Sequence, residues 1–296
     1  MTVGFIGLGN MGNPMCNRLL DAGHQVVVHD IDADAVKPMA DRQARVMNSP
    51  KEIADAAEVV FASLPSNASH QAVALGNDGI HAGSKAKVFV NLCTVGGAQI
   101  QDVADELAKS NITTIDSPIS GGPPGAAAGT LSVIVSGPTA AFEQVKPLLE
   151  QLGTITYAGE KVGMAQSLKL ANNILSATAL AATSEALVMG VKAGLDPEVM
   201  LQAINLGSGR NSATMDKIPS DVLTHNFAFG AAMDILLKDV DMAVAEGESL
   251  GVPMRVCQST RQFFRLVRAQ LGGETDITRV AEWVAEAAET KIPKTR

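Results

Sequence analysis

Lys169 and Asn173 stand four residues apart in "GMAQSLKLANN", Gly163 to Asn173, a spacing that puts both side chains on one face of a helix. The neighbours of Lys169 are apolar, so a helix here takes its ammonium out of water. Burial lowers a lysine pKa from about 10.4 toward the range where it exchanges protons at neutral pH. A neutral lysine so placed can accept a proton from an alcohol. Lysines in the first turns of helices are also commonly paired or snorkelled, and the motif alone leaves that alternative open.

A second cluster, "DSPISGGPPGAAAGTL" from Asp116 to Leu131, is too dense in glycine and proline for any regular element to be expected. The hydroxyl of Ser120 and the backbone N–H groups of Gly121 and Gly122 suit an anion nest for a carboxylate. A solvated loop ahead of a strand is the equal alternative.

The third cluster opens the chain. In "GFIGLGNMGNPM", Gly7, Gly9 and Gly12 follow the apolar run Val3 to Ile6 and precede an amphipathic pattern of Met11, Met15, Leu19 and Leu20. This reads as strand, tight turn and helix. The GxGxxG pattern is weak by itself, but Asp30 falls eighteen residues beyond Gly12, at the end of a second strand-like run, Val26 to His29. Dinucleotide folds place an acidic residue there, on the adenosine ribose. Gly7 then allows the turn, Gly9 admits the pyrophosphate, Gly12 permits close packing, and the helix N-terminus offers N–H groups to the anion. A carboxylate at Asp30 favours NAD and repels the 2′-phosphate of NADP. The competing use of Asp30 is as a helix cap, for which Asp32 is better placed.

The elements around these clusters have two grammars. Up to about residue 160, strand-like runs ("TVGFIG", "QVVVHD", "EVVFASLP", "KVFVNL", "TTID") alternate with helical patterns, which predicts a parallel sheet covered on both faces. "TLSVIVSG" and "TITYAG" complete it. Beyond that point the strand signals vanish, and a helix of about 31 residues from Gly163 to Ala193, about 46 Å long, joins the parts. "GLDPEVM" stops one helix at Gly194 and starts the next at Pro197. We therefore expect a Rossmann-like α/β domain over 1–162 and an all-α domain over 163–296, with a cleft between them as the default site.

Composition narrows the functions. The 296 residues carry a formal charge of -8 and no block of Lys or Arg, which speaks against nucleic acid as a partner. Cys16, Cys93 and Cys257 are widely spaced, with no CxxC or Cys/His pattern, so no metal site and a reducing, cytoplasmic setting are expected. The uncharged stretch Leu170 to Ser184 is about 15 residues, short of the ~20 that cross a bilayer, and no charged leader precedes the first strand. No membrane partner is expected. The Ala-rich helical half offers more apolar surface than one chain covers, which predicts a homodimer or homotetramer.

Taken together, the clusters resemble the β-hydroxyacid dehydrogenases over nearly the whole chain. The signatures read here as "FIGLGNMGNPM", "DSPISGGPPGAAAGTL", "GMAQSLKLANN" and "LLKDVDMA". The resemblance implies an NAD-dependent oxidoreductase that moves a hydride between a small β-hydroxy acid and the corresponding semialdehyde or keto acid. It implies that Lys169 is the general acid/base, that Ser120, Gly121, Gly122 and Asn173 hold a carboxylate-bearing substrate, and that Gly7, Leu8, Gly9, Asn10, Met11, Gly12 and Asp30 bind NAD. It further implies that Leu64, Pro65 and Thr94 line the nicotinamide side and that Lys238 reaches the cofactor. For Thr94 the plainer role is strand-end turn chemistry, and for Lys238 a solvated pair with Asp234. Ala165, Cys93, Ser117 and Ile119 depart from the usual pattern, which affects pocket size and hence substrate choice. The alternatives are a noncatalytic NAD-binding scaffold, against which Lys169 and Asn173 weigh, and a decarboxylating enzyme like 6-phosphogluconate dehydrogenase, for whose phosphate only Arg210 stands out as an extra cation.

Overall fold

The computed structural model describes residues 2–294. The chain separates into two compact units, one ending at Lys169 and the other beginning at Leu170, so the division falls inside a helix rather than ahead of it.

The first unit contains, in order, β1 (Thr2–Ile6), α1 (Gly12–Asp21), β2 (Gln25–His29), α2 (Ala33–Asp41), β3 (Arg45–Val46), α3 (Pro50–Ala56), β4 (Val59–Ala62) and α4 (Asn67–Leu75). It continues through β5 (Val88–Asn91), α5 (Gly97–Lys109), β6 (Thr113–Asp116), β7 (Ile119–Ser120), α6 (Gly122–Ala128), β8 (Leu131–Ser136), α7 (Thr139–Leu149) and β9 (Gly153–Gly159). The apolar runs singled out in the sequence all become strands. Two short strands, β3 and β7, and helix α3 carry too few periodic residues to have stood out.

The strands form one sheet in the order β3-β2-β1-β4-β5-β6-β8-β7, with β9 added on β8. The first six strands pair in parallel. The expectation of a parallel sheet is corrected at the far end, where β8 runs antiparallel to both β6 and β7 while β9 is parallel to β8. β6 and β7 run the same way and the chain reverses between β7 and β8, through α6; an antiparallel partner needs no crossover of the kind a parallel pair demands. A second correction concerns the glycine- and proline-rich segment, which holds regular structure after all. Pro123 and Pro124 lie in the first turn of α6, where their missing N–H groups have no intrahelical partner to lose, and Gly129 ends the helix with φ 70°.

Alternation along the strands explains the two covered faces. Val3 and Phe5 point to one side, with Phe61, Val90 and Val133, and Ile6 points to the other, with Val60, Phe89 and Ile53. Phe5 and Phe61 stack at 6.0 Å between centroids across the β1–β4 pair.

The long helix α8 (Met164–Lys192) has 29 residues, close to the length expected, and starts in the first unit. By length and composition it could cross a membrane. Its apolar residues Leu170, Ile174, Ala177, Leu180 and Leu187 instead form the centre of the second core, with Val240, Phe264 and Val280. Gly194, at φ 86°, stops it, and α9 (Pro197–Leu206) begins behind Asp196, whose carboxylate caps Glu198 and Val199 N–H. A π-helical segment, Ala213–Val222, follows, then α10 (Met233–Ser249), α11 (Arg255–Leu271) and α12 (Val280–Ala287). The π winding was not distinguishable from α in the sequence.

Candidate active site

In the first unit, the predicted residues gather at the C-terminal ends of the parallel strands. β1 lies between β2 and β4, where the strand order reverses, and open α/β sheets bind ligands beside this point. Gly7 N–H donates to His29 O at 3.0 Å and Ser63 N–H to Ile6 O at 2.9 Å, so the loops after β1 and β4 are bound to the neighbouring strands. Gly7 adopts φ +88°, and a Cβ there would stand 2.1 Å from Ser63 O. A Cβ on Gly12 would stand 1.8 Å from Gly7 O. Both glycines are therefore required by packing alone.

Gly9 is different, because a Cβ built on it meets nothing within 4 Å. The loop backbone at Gly9 faces open space at the start of α1, whose N-cap Met11 supplies no side-chain cap. This is the cradle a pyrophosphate needs, with helix N–H groups directed at it. Asp30 completes it. Its Oδ2 accepts from Leu8 N–H at 2.6 Å and its Oδ1 from Asp32 N–H at 2.9 Å. The carboxylate is thus tied to the glycine loop, while Asp32 is the residue that caps α2, by accepting from Asp34 N–H. Leu8, Asn10 and Met11 complete the loop, and the residues present fit a dinucleotide.

Leu64 and Pro65 follow β4, and Cys93 and Thr94 follow β5. Leu64 N–H donates to Cys93 Sγ at 3.1 Å, which joins these two loops, and the thiol in turn reaches Ala62 O at 3.4 Å. Ser120 ends β7, and Gly121 and Gly122, at φ 131° and 64°, lead into α6. Lys169, only 7% exposed, donates from Nζ to Ser120 Oγ. The lysine and the glycine-rich nest, 49 residues apart in sequence, are thereby one cluster.

The reason Lys169 arrives there is a buried network that the sequence did not advertise. The Gln166 carboxamide, 0% exposed, accepts from the N–H of Val95 at 2.9 Å and of Gly96 at 3.1 Å. Its Nε2 donates to Cys93 O at 3.0 Å and to Asp116 Oδ1 at 2.7 Å. Asp116 also accepts from Asn91 Nδ2 at 3.0 Å and from Gln166 N–H at 3.2 Å, and Ser136 Oγ accepts from Ala165 N–H at 3.0 Å. The first turn of α8 is clamped to the ends of β5, β6 and β8. Burial pushes the Asp116 carboxyl up to about 6, against the hydrogen bonds from Gln166, Asn91 and the Gly163 N–H. A polar residue ending each of two adjacent apolar strands, Asn91 and Asp116, was the signal available in the sequence.

In the helical unit, Asn173 Nδ2 donates to Asp239 Oδ2 at 2.7 Å, and Lys238 Nζ stands 3.2 Å from Asp239 Oδ1. Buried Asp239 thus joins the two predicted residues, and it was missed because the sequence reading centred on the lysine beside it. Lys238 does not pair with Asp234 as its plainer role required, since Arg268 Nε engages Asp234 at 2.8 Å. Among the described residues, no three His, Cys, Asp or Glu side chains are grouped to hold a metal ion. Cys16, Cys93 and Cys257 form no disulfide, and burial pushes the Cys16 thiol up to about 12.

Comparison with known proteins agrees with this architecture. Residues 2–159 match the profile of the NAD binding domain of 6-phosphogluconate dehydrogenase, and residues 163–284 that of the NAD-binding region of NADP-dependent 3-hydroxyisobutyrate dehydrogenase. The 2-(hydroxymethyl)glutarate dehydrogenase of Eubacterium barkeri is 34% identical, over 94% of this chain and 93% of that protein. The 3-hydroxyisobutyrate dehydrogenase of Pseudomonas aeruginosa is 35% identical, over 89% of this chain and 91% of its own. Among solved structures, the 3-hydroxyisobutyrate dehydrogenase of Mycobacterium tuberculosis with L-serine superimposes with a TM-score of 0.89 at 26% identity, covering 96% of this chain and 98% of that one. A Rossmann-like unit with its glycine cradle, a helical unit, and full-length similarity above 30% identity have one reading: the chain belongs to the β-hydroxyacid dehydrogenase family, the nicotinamide-dependent enzymes that act on the CH–OH group of hydroxy acids.

Proposed function

We propose that the protein interconverts a small β-hydroxy acid and its semialdehyde or keto acid, with NAD preferred and Lys169 as the proton-transfer group. The observation that carries this reading is the buried Lys169 ammonium bonded to Ser120 beside the Gly121–Gly122 nest. Both relatives named above carry, in their names, acids with a hydroxyl on the carbon β to a carboxylate.

Gly7, Leu8, Gly9, Asn10, Met11, Gly12 and Asp30 would hold the dinucleotide, with Leu64, Pro65 and Thr94 on the nicotinamide side and Lys238 contributing from the helical unit. Nicotinamide, when bound, supplies the hydride acceptor or donor. In the oxidising direction Lys169, neutral, takes the hydroxyl proton; in reduction its ammonium returns that proton to the carbonyl oxygen. Ser120 Oγ keeps Lys169 Nζ at the substrate end of the nest, and Ser120, Gly121 and Gly122 hold the substrate carboxylate. Asn173 orients the substrate oxygen and is itself oriented by Asp239.

We assign 1–162 to cofactor binding and 163–296 to substrate binding and oligomerisation, in a cytoplasmic homodimer or homotetramer. Exposed Leu175 and Met189 on α8, and Val199 and Leu206 on α9, support assembly. The test of the central reading is Lys169→Ala, assayed by NADH absorbance with a panel of β-hydroxy acids and semialdehydes. It should lower kcat by about 10²- to 10⁴-fold while NADH binding stays near wild type. Lys169→Arg should not restore turnover, because a guanidinium keeps its proton. Retention of more than about half of wild-type turnover in Lys169→Ala, with a deuterium isotope effect showing chemistry to be rate-limiting, overturns the assignment.

A further inference from the structure

Asp116, fully buried at the end of β6, takes no part in the proposed proton transfer, yet the clamp on α8 is built around its carboxyl. Four N–H groups donate to it: Gln166 Nε2 and Asn91 Nδ2 to Oδ1, at 2.7 and 3.0 Å, the Gln166 N–H to Oδ2 at 3.2 Å, and the Gly163 N–H. Each contact is of the kind an ionised carboxylate accepts. A carboxylic acid carries a donor of its own, so a proton on Oδ1 would oppose the Gln166 and Asn91 carboxamides, and one on Oδ2 the Gln166 N–H. Two of the donors, the Gly163 and Gln166 N–H groups, belong to the start of α8, where no earlier turn supplies acceptors. The ionised form therefore caps the catalytic helix from the sheet, and its charge complements the helix N-terminus.

The surroundings leave this charge to the N–H groups. Burial pushes the carboxyl up to about 6, the four donors pull it down, and no cation or second carboxylate is among the causes. β5 presents Asn91, α8 presents Gln166, and β8 presents Ser136, whose Oγ accepts from Ala165 N–H at 3.0 Å. Lys169, one turn beyond Gln166, directs its Nζ to Ser120. His70 of α4, next to Asn91, is driven down to about 4 by burial and stays neutral. A neutral side chain would fill this position at less cost, because an ionised carboxyl out of water is expensive even when it is well bonded. An acid here makes the start of α8 sensitive to a single proton.

We propose that Asp116 is a positioning residue for proton transfer: its carboxylate, when ionised, holds the first turns of α8 and keeps Lys169 at Ser120, and protonation releases both. The inference rests on the dehydrogenase reading given above for its effect on turnover, but the link between Asp116 and α8 does not. It predicts an acid limb that Lys169 cannot supply. In the reducing direction Lys169 works as its ammonium, a form that acid only preserves. A loss of reductive turnover below about pH 6 therefore reports another group, and a displacement of Lys169 on the order of 1 Å is enough to lower turnover about 10²-fold.

The test follows reductive turnover of the semialdehyde panel from pH 5 to 8, together with the NMR shifts of the Gly163 and Gln166 amides of the full chain over the same range. Wild-type kcat should fall about tenfold between pH 7 and 5 with a midpoint about 6, KM and NADH affinity changing less than about twofold, and both amides should titrate with the same midpoint. Asp116→Asn, which keeps one acceptor oxygen but turns a donor toward its neighbours, should hold kcat at least about tenfold below the wild-type plateau and show no acid limb. Asn91→Leu, which removes one N–H donor, should move the limb to higher pH by about one unit. A merely structural role moves neither the limb nor its midpoint. Flat wild-type kcat from pH 5 to 8, an acid limb that persists in Asp116→Asn, or amides that titrate away from the limb overturns the proposal. Titrating amides without turnover of any hydroxy acid or semialdehyde uphold the link to α8 and sink the dehydrogenase reading. Turnover without titrating amides does the reverse. Should Asp116→Asn fail to fold, the coincidence of the two wild-type midpoints decides.

Discussion

Gln166→Leu should loosen the catalytic helix without touching substrate or cofactor. The side chain is fully buried and makes four hydrogen bonds, two accepted from backbone N–H groups and two donated. Leucine fills nearly the same volume, so no water replaces the amide. Cys93 O and Asp116 Oδ1 each keep the bond from Asn91 Nδ2, so the groups left without a partner are the N–H groups of Val95 and Gly96. At about 2 kcal/mol for each of the two donors, less about 2 kcal/mol for the burial of an apolar side chain, the net cost is about 2 kcal/mol. That lowers Tm by roughly 4–8 °C for a unit of this size. Because Lys169 lies one turn beyond Gln166, kcat should fall as well, by about 10²-fold for a displacement on the order of 1 Å. Differential scanning calorimetry and NADH-coupled turnover read the two effects separately. Gln166→Glu sharpens the comparison, since it retains the acceptor for Val95 and Gly96 but sets an anionic oxygen beside Asp116. Its stability deficit should therefore grow as pH rises. A Tm within about 2 °C of wild type in Gln166→Leu, together with kcat within twofold, would refute the idea that this network positions Lys169.

Other outcomes follow from the same geometry. Gly9→Ala, with open space around its new methyl, should leave Tm near wild type and weaken NADH binding at least about tenfold. Gly12→Ala should instead destabilise the fold, because the methyl meets Gly7 O; equal loss of Tm in both variants removes the argument for a cradle at Gly9. Asp30→Ala should narrow the preference for NAD over NADP by about tenfold, and comparable kcat/KM with both cofactors in wild type contradicts the role given to Asp30. Asp116, raised from 3.8 to about 6, holds its proton more tightly folded than unfolded. Its contribution is therefore complete below pH 4 and falls by about 3 kcal/mol as pH rises through 6. The difference in unfolding free energy between wild type and Asp116→Asn, followed from pH 4 to 7, should show that decline, and a flat difference contradicts it.

Much of the chain was legible because its signals are local. Alternating apolar runs specify strands whichever neighbour they find, and the parallel half of the sheet needs only that both faces be covered. The roles of Gly7 and Gly12 were readable for the same reason, since the turn between a strand and its following helix is built from contiguous residues. Gly194 and Pro197 mark a helix boundary by backbone chemistry that no tertiary contact alters.

What the sequence could not show depends on which groups meet across long stretches of chain. The reversal of β8, the helix inside the glycine-rich segment and the π winding of Ala213–Val222 are each settled by packing. Local propensity is weak or neutral at all three. The bond between Lys169 and Ser120 joins residues 49 apart, and the clamp of Asn91, Asp116 and Gln166 draws on three separate elements. A buried polar side chain is costly unless partnered, and sequence reveals neither the burial nor the partner. For that reason the chain's own grammar named the residues that could move a proton or cradle a phosphate. Only the folded structure decided which of them are dehydrated and which are held.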